Sequence, residues 1–424
     1  MKYLWLLWLP LLFLPNWGTE QQTSLGTLQI ADYLIGPYLL LVVLAIWKNK
    51  HKDKLLSDQL TPLLLVFLWW IMIVTLLFPL RYSYLTNDKL FFSLLKIGKL
   101  VLYATAGMLT IKALALDDFW AKFNWSLLTS GLIVGINLLL SRNGFNQILV
   151  PNMIIERAYQ DNVVSTLVTI LIIYFLGLRL LNFGSRRWQR VSTLTLIVMT
   201  LGTFLSDGRG GWVAAFIGLI YLLYRLRLKR TLMVIIIGLT LIFFAYTGFP
   251  SFQEQIERTF WPDRAYLAQY DAGIAGIDDG VRLTLLRREG IKLQESPIFG
   301  RGFYHRAGLS GLSWWGSHNF FAQMFLETGI IGGFLVLGVF LSVWRQAGSN
   351  IAQEAGVELP VKAAILSAFV AGLSGEYFYG GMALFTLLLV YGAVGRLPYS
   401  KKTIVYGQAI SASTTVLRDH QISS

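Results

Sequence analysis

Residues 61–80 read TPLLLVFLWWIMIVTLLFPL, twenty positions without one charged side chain. A helix rises about 1.5 Å per residue, so such a run matches the roughly 30 Å hydrocarbon core of a bilayer. The run is one of a series. Apolar blocks between polar breaks recur at 3–17, 29–47, 61–80, 91–116, 125–140, 163–181, 191–205, 212–226, 231–247, 319–344, 361–377 and 381–395. They predict an all-α polytopic membrane protein with about 12 transmembrane helices and one large outer loop, 248–318.

Composition points the same way. Of 424 residues, 55% are hydrophobic and 14% charged, and the mean hydropathy is +0.57. Soluble domains carry about a quarter charged residues, so this chain has too few to cover a water-facing surface. The first block follows Lys2, as a signal peptide would, but Leu14-Pro15-Asn16-Trp17-Gly18 offers no small-x-small cleavage site. It reads as an uncleaved span. The absence of cysteine excludes disulfides, zinc-thiolate sites, Fe–S clusters and a Cys nucleophile.

A net charge of +13 suggests a polyanion partner until the charges are placed. With the N-terminus in the cytoplasm, 20 of the 36 Lys and Arg fall in inner segments and five in short outer loops. Three more (Lys96, Lys99 and Lys112) lie inside the fourth block, and eight lie in 248–318, which is too long for the positive-inside rule to count. Most of the charge is therefore topology signal, and nucleic-acid binding is not needed to explain it. The organisation expected is one integral membrane domain. Nine spans occupy 1–247, the outer loop 248–318, three spans 319–397, and a cytoplasmic tail 398–424.

The outer loop is divided in charge. Residues 248–280 are net −4 and residues 281–318 net +4, the second half carrying Arg282, Arg287, Arg288, Lys292, Arg301 and Arg306. A loop this long, holding Phe252, Trp261, Tyr266, Phe299 and Tyr304, is expected to form short helices packed over the mouth of the bundle. Its basic half is either a solvated surface paired with the acidic half or a cationic floor for a phosphorylated ligand. Guanidinium forks match phosphate oxygens in two-point contacts.

Several single residues carry chemistry. His318 stands where the loop re-enters the membrane; it either steadies a helix start or serves as a general base. Arg209, in Ser206-Asp207-Gly208-Arg209-Gly210-Gly211, is held between two spans with almost no loop, either as an anchor snorkelling to headgroups or as a functional cation. Lys96 and Lys99, three apart on the fourth span, share a face and read as snorkelling or phosphate-binding groups. Glu376 is expected to pair with an arginine. Trp314 and Trp315 fit an interfacial aromatic belt, with sugar stacking as the alternative. No acidic cluster, Walker loop or nucleophile elbow is present, so neither a metal nor a nucleotide nor a Ser triad is expected.

Three segments in order resemble the O-antigen ligase/polymerase superfamily of bacterial membrane glycosyltransferases. They are Ser206-Asp207-Gly208-Arg209-Gly210-Gly211-Trp212; Gly280-Val281-Arg282-Leu283 followed by Ser296-Pro297-Ile298-Phe299-Gly300-Arg301-Gly302; and His318-Asn319 followed by Glu327-Thr328-Gly329-Ile330-Ile331-Gly332. The resemblance covers roughly 195–345, and it departs from the pattern at Gly208, where Ser is usual, and at Leu286, where Trp is common. It implies transfer of a glycan from a polyprenyl-diphosphate carrier to an acceptor hydroxyl, such as that of a lipid core or a growing glycan. The transfer would take place at the outer face of the bacterial inner membrane, without cofactor, metal or nucleotide. The implied catalytic residues are His318, Arg282 and Arg209.

Arg288, Arg301, Lys96, Lys99, Trp315 and Glu327 are the candidate substrate-binding residues. Nine residues of helix place Glu327 half a turn from His318, so packing or hydrogen bonding competes with direct chemistry for it. Ligase and polymerase share this donor and bond chemistry. A transporter or lipid-linked glycan flippase is the alternative class. Such proteins show paired, interrupted spans near mid-membrane, which the sequence does not display.

Overall fold

The computed structural model describes residues 21–23, 26–28, 30–48, 60–81, 87–114, 119–142, 157–205, 209–226, 240, 246–248, 253, 290–303, 319–347 and 357–374. The expected spans 3–17 and 381–395, most of 231–247, and the greater part of the outer loop lie outside these residues.

Within them the chain is helical. The helices are α1 (Ile30–Lys48), α2 (Leu60–Arg81), α3 (Asn87–Leu114), α4 (Phe119–Arg142), α5 (Arg157–Leu180), α6 (Arg186–Leu205), α7 (Arg209–Arg225), α8 (Phe320–Gln346) and α9 (Glu358–Ser374). One departure from an all-α fold precedes them: β1 (Gln21–Thr23) pairs antiparallel with β2 (Gly26–Leu28), with Gln21 opposite Leu28. Three-residue strands are too short to leave a periodic signal.

Each helix coincides with an expected span, and several run past it. α4 starts at Phe119 and α5 at Arg157, both ahead of their apolar blocks. Apolar sequence reports where a helix is greasy, whereas its hydrogen bonds continue through polar turns. α2 is apolar on every side, the pattern of a helix with no water-facing stripe. By length and composition α8 is the one helix among the described residues long and apolar enough to cross a membrane. Shorter apolar stretches occupy Ile35–Leu44, Pro62–Leu77, Asn124–Ile136, Leu167–Leu180 and Gly211–Arg225.

α5 is the centre of the bundle and packs against α4, α6, α7 and α9. Tyr174 and Phe175 on it are fully buried, and the Tyr174 hydroxyl donates to Asn124 Oδ1 on α4 at 2.7 Å. A tight turn joins α5 to α6. Phe183 N donates to Leu178 O at 2.9 Å, and Trp188 then packs edge-on against Phe183 and at a tilt against Phe175. α4 and α6 approach closely where side chains are smallest: a Cβ on Gly135 would lie 3.0 Å from Met199 Cα, and one on Gly202 would lie 2.7 Å from Gly135 O. Such small-residue seams bring backbones together without needing a hydrophobic driving force. α7 joins α9 through Ser367 Oγ, which donates to Ala214 O at 2.8 Å.

α8 packs against α2 and α9, and it is broken. Gly329 has φ 71 and ψ −176, far from helical values, so the element is two half-helices meeting at a kink. The sequence displays no paired interrupted spans, and the break at Gly329 is a single one within α8.

Candidate functional site

The break in α8 organises everything around it. In an unbroken helix Leu326 O would accept from Ile330 N; here Ile330 N donates to Pro297 O at 2.8 Å. The carbonyls freed by the kink find other donors: Arg301 N to Leu326 O at 3.0 Å, Gly302 N to Glu327 O at 2.8 Å, and Trp70 Nε1 to Thr328 O at 2.8 Å. The segment Ser296–Gly302 therefore replaces the missing helical bonds, and α2 supplies the last donor. Nothing on the backbone at the kink is left unpaired at these positions, as a buried break requires.

Two glycines make the docking fit. A Cβ on Gly329 would fall 1.9 Å from Ile298 O, and one on Gly300 (φ 68) would fall 2.4 Å from Gly329 N. Each obstacle is backbone, which no rotamer change relieves. Phe299 stacks on Trp70, with centroids 5.7 Å apart and planes 16° apart. Phe303 N donates to the buried Thr75 Oγ1 at 3.2 Å. The kink lies nine residues into α8, roughly 13 Å along its axis. Residues 296–303 of the outer loop thus sit beside α2 and α8, a docking that the expectation of a covering loop did not include.

Arg301 is buried with the segment. One terminal nitrogen of its guanidinium pairs with Glu295, which is half exposed, while its Nε is buried with no hydrogen-bond partner. Glu327, on the next turn of the site, is 3% exposed and accepts from Gln323 Nε2 at 2.5 Å. Gln323 is equally buried, and its Oε1 has no donor. An unsatisfied buried carbonyl of this kind costs about 1–3 kcal/mol. Gln323 went unnoticed in the sequence; its signal is a spacing of four from both Asn319 and Glu327, which puts all three on one face of the half-helix.

The start of α8 is capped by Asn319, whose Oδ1 accepts from Ala322 N at 3.0 Å. The N-cap position is thus filled by Asn319, the residue that follows His318. At the other junction Arg209 opens α7, and Trp212 Nε1 donates back to Thr203 O at 2.9 Å, tying the first turn of α7 to the last turn of α6.

The structure brings Arg301 and Glu327 together through the segment and the kink. It places Lys96 and Lys99 half-buried on α3, which packs on α1 and α2, with Lys99 Nζ 5.9 Å from the Tyr103 ring centroid. His318, Arg282, Arg288, Trp315 and Glu376 lie outside the described residues.

A helical bundle of largely apolar helices, with a loop segment seated in one broken helix, defines the architectural class. Residues 194–337, which run from α6 through α7 and the docked segment into α8, match the family model described as O-antigen ligase, so this part of the chain is similar to the O-antigen ligase/polymerase superfamily that its motifs resemble. No curated protein matches the chain.

Proposed function

We propose that the protein is a polytopic glycosyltransferase of the bacterial inner membrane. It moves a glycan from a polyprenyl-diphosphate carrier to an acceptor hydroxyl, as an O-antigen ligase or polysaccharide polymerase, with about 12 spans, both termini cytoplasmic and the site at the outer face. The observation that carries the reading is the family match across 194–337 together with the seating, inside it, of Ser296–Gly302 in the α8 break beside Glu327. The membrane setting is supported by large apolar side chains turned outward on successive helices, among them Leu40, Trp47, Leu65, Trp69, Leu194, Val213 and Phe334.

In the proposed chemistry the acceptor hydroxyl oxygen attacks the anomeric carbon. The bond from that carbon to the carrier breaks with its electrons going to the diphosphate, and His318 takes the hydroxyl proton. Diphosphate leaves readily once its developing charge meets fixed cations, so Arg209 and Arg282 do the work a metal would otherwise do. The unpaired Nε of Arg301 suits a further phosphate oxygen, with Arg288, Lys96 and Lys99 along the approach and Trp315 against the sugar.

The transporter or flippase reading gains a broken helix but loses its use. In transporters the freed backbone groups at a break bind ion or substrate, whereas here they are taken by Arg301, Gly302 and Trp70. The test is to incubate the purified protein with lipid-linked oligosaccharide, with and without a lipid-core acceptor, in the presence of chelator. Longer products on the carrier mean polymerase, and transfer to the core means ligase. No transfer in either arm, or loss of transfer with chelator, overturns the proposal.

A further inference from the structure

We infer that the outward face of α6 is a binding site for an anionic phospholipid, its phosphate between Arg187 and Arg190 and an acyl chain along Leu194, Ile197 and Leu201. The inference rests on the membrane setting proposed above and not on the transfer chemistry. These residues follow one another at alternating spacings of three and four, so they form one stripe along the helix. The whole stripe is exposed, with Leu194 at 58%, Ile197 at 52% and Leu201 at 50%. The opposite face, Ser192, Thr195, Met199 and Thr203, is buried, with Met199 set against Gly131 and Gly135 of α4. From Arg190 to Leu201 the helix rises about 16 Å, half of the roughly 30 Å hydrocarbon core. The stripe thus has the length and polarity of a lipid in one leaflet, charged at one end and apolar along the rest.

Charge selects the headgroup. Arg186 and Arg187 stand in the first turn of α6, which holds no acidic residue, and Arg190 follows in the next. Cations are disfavoured there, because the helix dipole puts its positive end at the N-terminus. No Asp or Glu occurs from residue 162 to residue 206, and no carboxylate among the described residues forms an ion pair with these arginines. Arg179 adds a further guanidinium: its Nε donates to Thr193 Oγ1 at 3.1 Å, which ties it within one turn of Arg190. The turn itself is held, since Gln189 Nε2 donates to Asn182 O at 3.0 Å and Trp188 N to Ser185 Oγ at 3.3 Å. Neighbouring helix ends share the polarity. Pro360 of α9 lies against Gly177 of α5, and Trp344 of α8 packs against both Tyr221 of α7 and Lys362 of α9, so these ends lie together. They carry the exposed Arg225 and Arg345, while Glu358 is committed to Lys362 at 2.6 Å. Arg345 is sixteen residues from Gly329, about 24 Å along α8, so the stripe is remote from the break. Guanidinium forks match phosphate oxygens, and an anionic phosphodiester brings the missing negative charge, whereas a zwitterionic headgroup brings its own cation to the same place.

The test uses the full-length protein in detergent, as wild type, Arg187→Gln/Arg190→Gln and Arg225→Gln/Arg345→Gln. The last pair removes equal charge from the same end but off the stripe. The thermal midpoint is followed against phosphatidylglycerol, phosphatidylcholine and inorganic phosphate. Phosphatidylglycerol is expected to raise the wild-type midpoint by about 2 °C or more. It is expected to act equally on Arg225→Gln/Arg345→Gln and to lose most of its effect on Arg187→Gln/Arg190→Gln. An equal rise with phosphatidylcholine overturns the inference, since apolar contact alone would then suffice, and an equal rise with inorganic phosphate overturns a lipid as the occupant. So does an equal response from the two double variants, which would mean net charge alone. Native mass spectrometry of the wild type reads the site without any substitution. From an equimolar mixture of the two lipids, phosphatidylglycerol is expected to be retained about threefold or more over phosphatidylcholine, and equal retention overturns the inference. Recovery of the wild type from cells in soluble form without detergent would overturn the membrane setting itself, whereas a membrane-bound protein indifferent to phosphatidylglycerol overturns only this inference.

Discussion

At Gly329 a single backbone angle decides how three separate stretches of chain meet. With φ at 71 and ψ at −176 the residue holds a conformation that is essentially reserved for glycine, where a side chain costs about 1–3 kcal/mol before any clash, and the added Cβ would sit 1.9 Å from Ile298 O. Gly329→Ala is therefore expected to lower stability by more than about 2 kcal/mol, read as a drop in thermal midpoint in detergent. An unchanged midpoint would mean that the kink does not hold the segment. Trp70→Phe isolates one bond of the same site. It keeps a ring against Phe299 but strands Thr328 O, for an expected cost of about 1–3 kcal/mol. The residues proposed for chemistry behave differently. His318→Ala and Arg209→Ala are expected to insert and melt as wild type while losing transfer by about 10²-fold or more. Near-wild-type turnover in either would remove that residue from the mechanism.

Among the described residues, elements were legible wherever apolar runs were long, and their ends were not. The blocks that start at 125 and 163 sit inside α4 and α5, whose first turns carry Lys122 and Asn124 or Arg157 and Asp161. Polar side chains do not end a helix; they only leave the apolar phase. The motifs Ser296–Gly302 and Glu327–Gly332 could be read as separate segments, but nothing in either string shows that one donates its amides to the other's carbonyls. That pairing is a property of two strands of chain some thirty residues apart, and it explains the glycines only after the fold is known. The α4–α6 seam is similar, since Gly131, Gly135 and Gly202 look unremarkable until the helices are side by side. There the expectation is concrete: Gly135→Leu puts a branched side chain against Met199 Cα, at 3.0 Å for Cβ alone, and should unfold or separate α6 from α4. A cysteine pair across the seam would report this as a loss of crosslinking, while retained crosslinking in Gly135→Leu would mean that the helices slide to accommodate it.

For the whole molecule the question is which way the bundle faces, and the chain's lack of cysteine makes it open to direct measurement. The placement of Lys and Arg predicts 48–60 inside and 248–318 outside, and the chemistry proposed for Arg209, Arg282 and His318 requires that assignment, since the proposed transfer takes place at the outer face. Single substitutions Lys52→Cys and Ser310→Cys each introduce the sole thiol of the protein. A membrane-impermeant maleimide applied to intact spheroplasts is expected to label Ser310→Cys at once and Lys52→Cys only after permeabilisation. The reverse pattern would place the basic half of the loop, and the α8 break into which it docks, on the cytoplasmic side. There the positive-inside count would have failed, and no carrier exposed at the outer face could reach Arg301. Equal labelling of both would mean that the apolar blocks do not all cross, because an odd change in span number between 60 and 248 inverts everything after it. The charge count and the site chemistry thus stand or fall on one pair of thiols.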